Sequence, residues 1–196
     1  LNLAREAVSY LISRGFRRVA PIRSTKYGDA YVEVDGHLYY LTDWISGKEC
    51  QLEKFPQLQD AIATLAQMQA AAAGFIPPPS PGRERWHTWP KRYQNRIDEI
   101  EECREAVERK DYGSDFDSLF ITEAERFIEQ GRFSLHLLDL ADYQAQVEES
   151  RREGGICHRD FVGRNLIRNR KKEVFVVNFD NCQLDLRVFD LGRLMA

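Results

Sequence analysis

The sequence predicts an α+β fold in two unequal parts, and three observations carry that expectation. Two β-like runs, Ala30 to Val34 and Leu38 to Thr42, flank Asp35-Gly36, a dipeptide that favours the type I′ hairpin turn. A long, charge-rich middle has helical periodicity. After Gly154-Gly155 the pattern returns to short strands and loops dense in polar residues.

In chain order, Leu3, Ala7, Tyr10 and Leu11 recur at helical spacing, and Gly15 supplies a stop. The hairpin follows. Trp44-Ile45-Ser46-Gly47 breaks the strand pattern and leads to a helix from about Phe55 to Ala73, whose apolar stripe includes Leu58, Ile62, Leu65, Ala66 and Gln69. Pro77-Pro78-Pro79-Ser80-Pro81-Gly82 is a stiff connector, unfit for helix or interior strand. A helix is expected from Pro90 to Lys110 and a turn at Gly113-Ser114-Asp115. A long helical region then runs from Phe116 to Arg152, interrupted near Gly131. The last strands are expected at Ile156 to Asp160, Asn165 to Arg168 and Val174 to Asp180.

Composition narrows the classes. The 196 residues carry a net charge of −3, which gives no bulk attraction to nucleic acid or to an anionic membrane. No apolar run approaches the roughly 20 residues of a bilayer span, and the start shows no signal-peptide pattern. Four cysteines without a Cys-x-x-Cys pair read as reduced, packed thiols of an intracellular protein. His37, His87, His136 and His158 share no ligand-like spacing, which argues against a metal hydrolase. No strand leads into a Gly-x-Gly-x-x-Gly turn, which argues against a Rossmann fold. Both ends read as cut inside helices, so the sequence is expected to be a fragment.

The chemistry concentrates in Ile156-Cys157-His158-Arg159-Asp160-Phe161-Val162-Gly163-Arg164-Asn165. Phosphoryl transfer to a hydroxyl needs a carboxylate to orient the acceptor and take its proton. It also needs an oxygen ligand that places magnesium on the phosphates. His-x-Asp-x-x-x-x-Asn sets those two groups five residues apart on one loop. Asp160 is the candidate base, Asn165 a metal ligand, and His158 a brace for the loop. Beyond Ile167 an apolar strand ends in Asn178-Phe179-Asp180. If the strand continues that far, both polar side chains fall on one face, as second and third metal ligands.

These stretches, together with Asp185-Leu186-Arg187-Val188-Phe189-Asp190-Leu191-Gly192-Arg193-Leu194, resemble the aminoglycoside phosphotransferase and choline kinase superfamily. Tyr39-Tyr40-Leu41-Thr42-Asp43-Trp44-Ile45-Ser46-Gly47 and Ile156-Cys157-His158 resemble its spore-coat branch. The resemblance implies a protein kinase-like fold, mostly the helical C-lobe with part of the small β lobe. Residues 1–43 would belong to the small lobe and 44–196 to the large one. It further implies ATP and Mg2+ as cofactors, Asp43, Trp44 and Ile45 as the nucleotide-binding hinge, and Asp190 as the acid supporting the catalytic loop. Glu6 would pair with a nucleotide lysine that, like the phosphate-covering loop, is expected before residue 1. The implied partners are a small-molecule hydroxyl acceptor or spore coat proteins, with no nucleic acid and no membrane. The implied location is the mother-cell cytoplasm, with assembly into the coat.

One position departs from the family pattern. Asn178 stands where the family usually has a magnesium-binding Asp, and a neutral amide weakens an oxygen-ligand site. Two readings therefore stand side by side: an active small-molecule kinase, and a pseudokinase retained as a structural coat component. A eukaryotic-type protein kinase is disfavoured, since Asp-Phe-Gly and Ala-Pro-Glu are both missing.

Overall fold

The computed structural model describes all residues, Leu1–Ala196. They form two compact units: Leu1–Glu84 with Glu149–Ala196, and Arg85–Glu148.

The first unit opens with α1 (Asn2–Ser13), which buries Leu3, Ala4, Ala7, Val8 and Leu11 and stops ahead of Gly15 at φ +88°. Strand β1 (Ile22–Arg23) pairs antiparallel with β4 (Leu41–Thr42), and β2 (Val32–Val34) with β3 (His37–Tyr39). Asp35 (φ 51°) and Gly36 (φ 73°) both take the left-handed turn that the dipeptide predicts.

Helix α2 (Phe55–Ala72) begins with Pro56 in its first turn, where a fixed φ helps and a missing N–H costs nothing. It buries Ala61, Thr64, Leu65, Met68 and Ala72. The predicted stripe is thus rotated by about one position: Ile62 and Ala66 are exposed. The buried face is the one with small residues, which lets α1 come close. Thr64 satisfies its hydroxyl on Asp60 O at 2.7 Å, and Tyr10 on α1 donates to Ala73 O at 2.8 Å.

A three-stranded antiparallel sheet carries the site: β5 (Lys48–Glu49), β6 (Leu166–Arg168) and β7 (Val174–Val176), in that order. A side chain at Gly47 would strike Arg168 O at 2.6 Å, and one at Gly163 would strike Cys50 O at 2.5 Å. Only glycine allows this approach. The final helix α6 (Val188–Met195) buries Asp190 and Leu194.

One predicted strand is absent and another is shorter than expected. Residues 156–160 form a loop with one bridge, Cys157 to Gln183, and β7 ends at Val176. The cause is local: Arg159 (φ 70°) and Asn178 (φ 62°) both adopt left-handed conformations that extended strands exclude.

The second unit holds α3 (Trp89–Glu108) and α4 (Asp115–Leu140), with α5 (Tyr143–Glu153) beginning in it. Ser114 and Asp117 form a reciprocal capping box that starts α4. The expected break near Gly131 does not occur; the chain breaks at Ala141-Asp142 instead, with Asp142 at φ 50°. Gly131 stays helical because α3 packs against it: an added Cβ would lie 2.7 Å from Ile97 Cγ1.

Candidate phosphotransfer site

Two chain segments must meet if Asp160, Asn165, Asn178 and Asp180 are to act together. Cys157 and Gln183 exchange backbone hydrogen bonds at 2.9 and 3.0 Å, and Val177 N donates to Asn165 O at 3.0 Å. These bonds lay the loop 158–165 alongside residues 177–183. All four residues line one cleft of about 430 Å³, with Glu49, Arg164 and Asn181.

The loop is braced from beneath. His158, fully buried, donates from Nε2 to Val177 O at 2.8 Å and accepts at Nδ1 from Asp160 N at 3.3 Å. Its ring meets Phe179 edge-on at 4.7 Å. Burial outweighs these hydrogen bonds and pushes its pKa down to about 4, so the ring is neutral and suited to bracing. Asp190 reaches up from α6 and accepts the backbone N–H of His158 at 2.7 Å and of Arg159 at 2.8 Å. Burial raises its pKa to about 6, the two amides opposing the rise. Arg159 pairs with Asp185 at 2.6 Å and lies 3.4 Å over the Phe189 ring.

Asp160 is heavily bonded. Arg164 donates to both its oxygens at 2.9 and 2.7 Å, Arg193 to Oδ1 at 3.2 Å, and Asn165 to Oδ2 at 2.8 Å. Burial alone would raise its pKa, but the combined donors hold it below the ordinary carboxylate value.

The candidate metal ligands sit where two turns meet. Asn178 does not share a strand face with Asp180; it occupies a left-handed position beyond β7, and Asp180 lies in the 3-10 turn Phe179–Asn181. The turn, rather than strand alternation, brings both into the cleft. Asn178 donates its amide to Asn165 Oδ1 at 2.8 Å. Tyr40 donates its hydroxyl to Asp180 Oδ1, and Arg83 donates to Asp180 O at 2.5 Å.

The donor set is all oxygen, the kind a hard cation takes, but no group of three or more acidic, His or Cys side chains is placed to hold a metal unaided. Magnesium commonly uses one or two carboxylates and completes its shell with phosphate oxygens and water. Asp180, with the amide oxygens of Asn165 and Asn178, fits that minimal role.

Other predicted residues stand apart from this cleft. Asp43 is held by Arg23 through two bonds of 2.7 Å, Trp44 is 90% exposed and Ile45 is half-buried; none lines the cleft. Glu6, half-buried on α1, is not among the lining residues either. The sequence reading missed Tyr40, Glu49, Arg164 and Arg193. Arg164 was within reach, since it sits inside the motif four residues after Asp160. The others come from distant segments and leave no local pattern.

The family model described as the phosphotransferase enzyme family matches residues 10–196. The chain belongs to that family. Spore coat protein S of Bacillus subtilis (strain 168) is 26% identical to this family member over 197 residues, covering 97% of the chain. The crystal structure of an aminoglycoside phosphotransferase from Alicyclobacillus acidocaldarius subsp. acidocaldarius superimposes with a TM-score of 0.84 at 22% identity, covering 99% of the chain. That match establishes the kinase-like α+β fold. The chain spans 55% of the coat protein and 57% of the solved structure. No helix is long and apolar enough to cross a membrane. Cys50, Cys157 and Cys182 are buried and Cys103 is exposed, all as free thiols. Burial pushes Cys50 up to about 11 and Cys182 up to about 12, so neither is a ready nucleophile.

Proposed function

We propose that this chain is part of a phosphotransferase that moves the terminal phosphoryl group of ATP to a hydroxyl of a small molecule. The single observation that carries the reading is the shared cleft of Asp160, Asn165, Asn178 and Asp180. Asp160 accepts the proton as the acceptor oxygen bonds to phosphorus, and the bond from phosphorus to the β-phosphate oxygen breaks, releasing ADP. Asn165, Asn178 and Asp180 would hold Mg2+, which supplies charge neutralisation on the phosphates when bound. His158 and Asp190 keep the loop in register. On this reading residues 1–43 contribute to the small lobe, 44–196 form the large lobe, and backbone groups of Asp43, Trp44 and Ile45 meet the adenine. Glu6 serves as the supporting acid of α1.

The test is Asp160→Asn in the full-length protein. Magnesium-dependent ATP turnover disappears if Asp160 is the base, and undiminished turnover refutes the assignment.

A second reading has its own support. The Asn178 to Asn165 hydrogen bond occupies an oxygen that a cation would use, and a relative is named as a spore coat protein. The chain would then be a pseudokinase that packs with coat proteins after synthesis in the mother cell. Wild-type protein that binds nucleotide without turning it over would favour this alternative.

A further inference from the structure

A carboxylate offers about four lone-pair positions, and three donor nitrogens crowd those of Asp160. Oδ1 accepts from Arg164 and Arg193, and Oδ2 from Arg164 and Asn165. A carboxylate in that state is poorly placed to receive the proton of an acceptor hydroxyl. One donor must leave before the group can act.

The donors differ in how easily they can go. Asn165 is buried and fixed by a second bond to Asp160 O at 2.8 Å. Arg193 gives a single bond, longer than the others, and does not line the cleft. Arg164 has its side chain 62% exposed, lines the cleft itself and bridges both oxygens from one nitrogen. Its Asp160 bonds are the only side-chain bonds it makes. An exposed ion pair of this kind is weak, whereas a guanidinium binds phosphate through a matching planar fork. The cleft also has a neutral amide, Asn178, at a position where a carboxylate would have recruited more metal charge. An exposed arginine lining the cleft is placed to make up that charge.

Resting on the phosphotransferase reading, we propose that Arg164 is a phosphate-sensing residue, whose guanidinium leaves Asp160 for the terminal phosphate of bound nucleoside triphosphate and thereby frees the base. In the resting state the same contact masks Asp160. The base is then exposed only when phosphate is in place.

The test is equilibrium binding of a fluorescent non-hydrolysable ATP analogue and of fluorescent ADP to the full-length protein, each with Mg2+ and with EDTA. Wild type, Arg164→Ala, Arg164→Lys and Arg193→Ala are compared, with thermal unfolding to verify that each is folded. The expected result is that Arg164→Ala weakens the triphosphate analogue by about tenfold, the size of one charge-assisted contact. ADP binding stays unchanged. Arg164→Lys recovers part of the loss, and Arg193→Ala keeps the wild-type preference. An Arg164→Ala protein that still prefers the triphosphate as strongly as wild type overturns the proposal and leaves the phosphotransferase reading intact. Failure of wild type to bind either nucleotide sinks that reading, and this inference with it.

Discussion

Asn178 donates its side-chain amide to Oδ1 of Asn165 at 2.8 Å, so a hydrogen bond stands where, on the proposed reading, two oxygens would face a shared cation. Asn178→Asp removes the donor and sets two acceptors against each other. Without metal the variant should lose about 1 kcal/mol, the cost of a part-buried bond broken and two acceptors set face to face. Magnesium should restore it, because added ligand charge raises the affinity of an oxygen site. Thermal unfolding with and without MgCl2 checks this. A variant whose melting temperature ignores magnesium would show that Asn178 is not standing in for a cation.

His158 and Asp190 make a second, pH-dependent prediction. His158 is pushed from 6.5 down to about 4, so its contribution is complete above 6.5 and is lost as pH falls toward 4. Asp190 is raised from 3.8 to about 6, so its contribution is complete below 3.8 and is lost as pH rises through 6. Each shift corresponds to on the order of 3 kcal/mol, and the two slopes oppose one another over the same window. Asp190→Asn leaves the histidine alone and should make stability fall more steeply on acidification from pH 6 to 4 than in wild type. His158→Gln should turn the slope the other way. Urea unfolding across that range decides the matter, and identical slopes in all three proteins would contradict both assignments.

What the sequence disclosed follows from how local each signal is. The Asp35-Gly36 turn and the limits of α2 depend on neighbours in the chain, and these agree with the structure. The α2 face was misplaced because hydrophobicity marked Ile62, whereas close helix packing selected Ala61 and Ala72. Gly131 suggested a break because glycine disfavours helix by about 1 kcal/mol, yet contact with Ile97 needed its missing side chain. Strand alternation placed Asn178 and Asp180 together for the wrong reason; a left-handed residue and a 3-10 turn do it. Tyr40 on Asp180 and Arg193 on Asp160 join segments far apart in sequence, and nothing local announces them.

Two glycines give a contrast in packing. A methyl group at Gly163 would lie 2.5 Å from Cys50 O, beside the bonds from Cys50 N to Gly163 O and Leu166 O. Gly163→Ala should therefore push β5 away from the loop 158–165 and cost about 1–3 kcal/mol. Gly192 in α6 has nothing within 4 Å of an added methyl and no positive φ. Gly192→Ala should stabilise by about 0.4–1 kcal/mol, through lower entropy of the unfolded chain and better helix propensity. Denaturant midpoints measure both, and equal effects would mean the contact at Gly163 relaxes without cost.

Arg159 sits between His158 and the proposed base Asp160, and it joins two opposing effects. Its backbone at φ 70° is strained for a residue with a side chain. Its guanidinium neutralises Asp185, whose side chain is 1% exposed. Arg159→Gly relieves the strain but leaves Asp185 charged and buried, so the single change should destabilise by about 3–5 kcal/mol. Asp185→Asn alone removes the carboxylate 2.6 Å from the arginine and should also cost stability. Combined, the two changes remove both charges and keep the relaxed backbone, so the double variant should be more stable than Arg159→Gly alone. A double-mutant cycle by urea unfolding tests the coupling. Additive losses would mean that Arg159 is held by its stacking on Phe189 and not by the ion pair. The loop carrying Asp160 would then depend on an aromatic contact from α6 more than on buried charge.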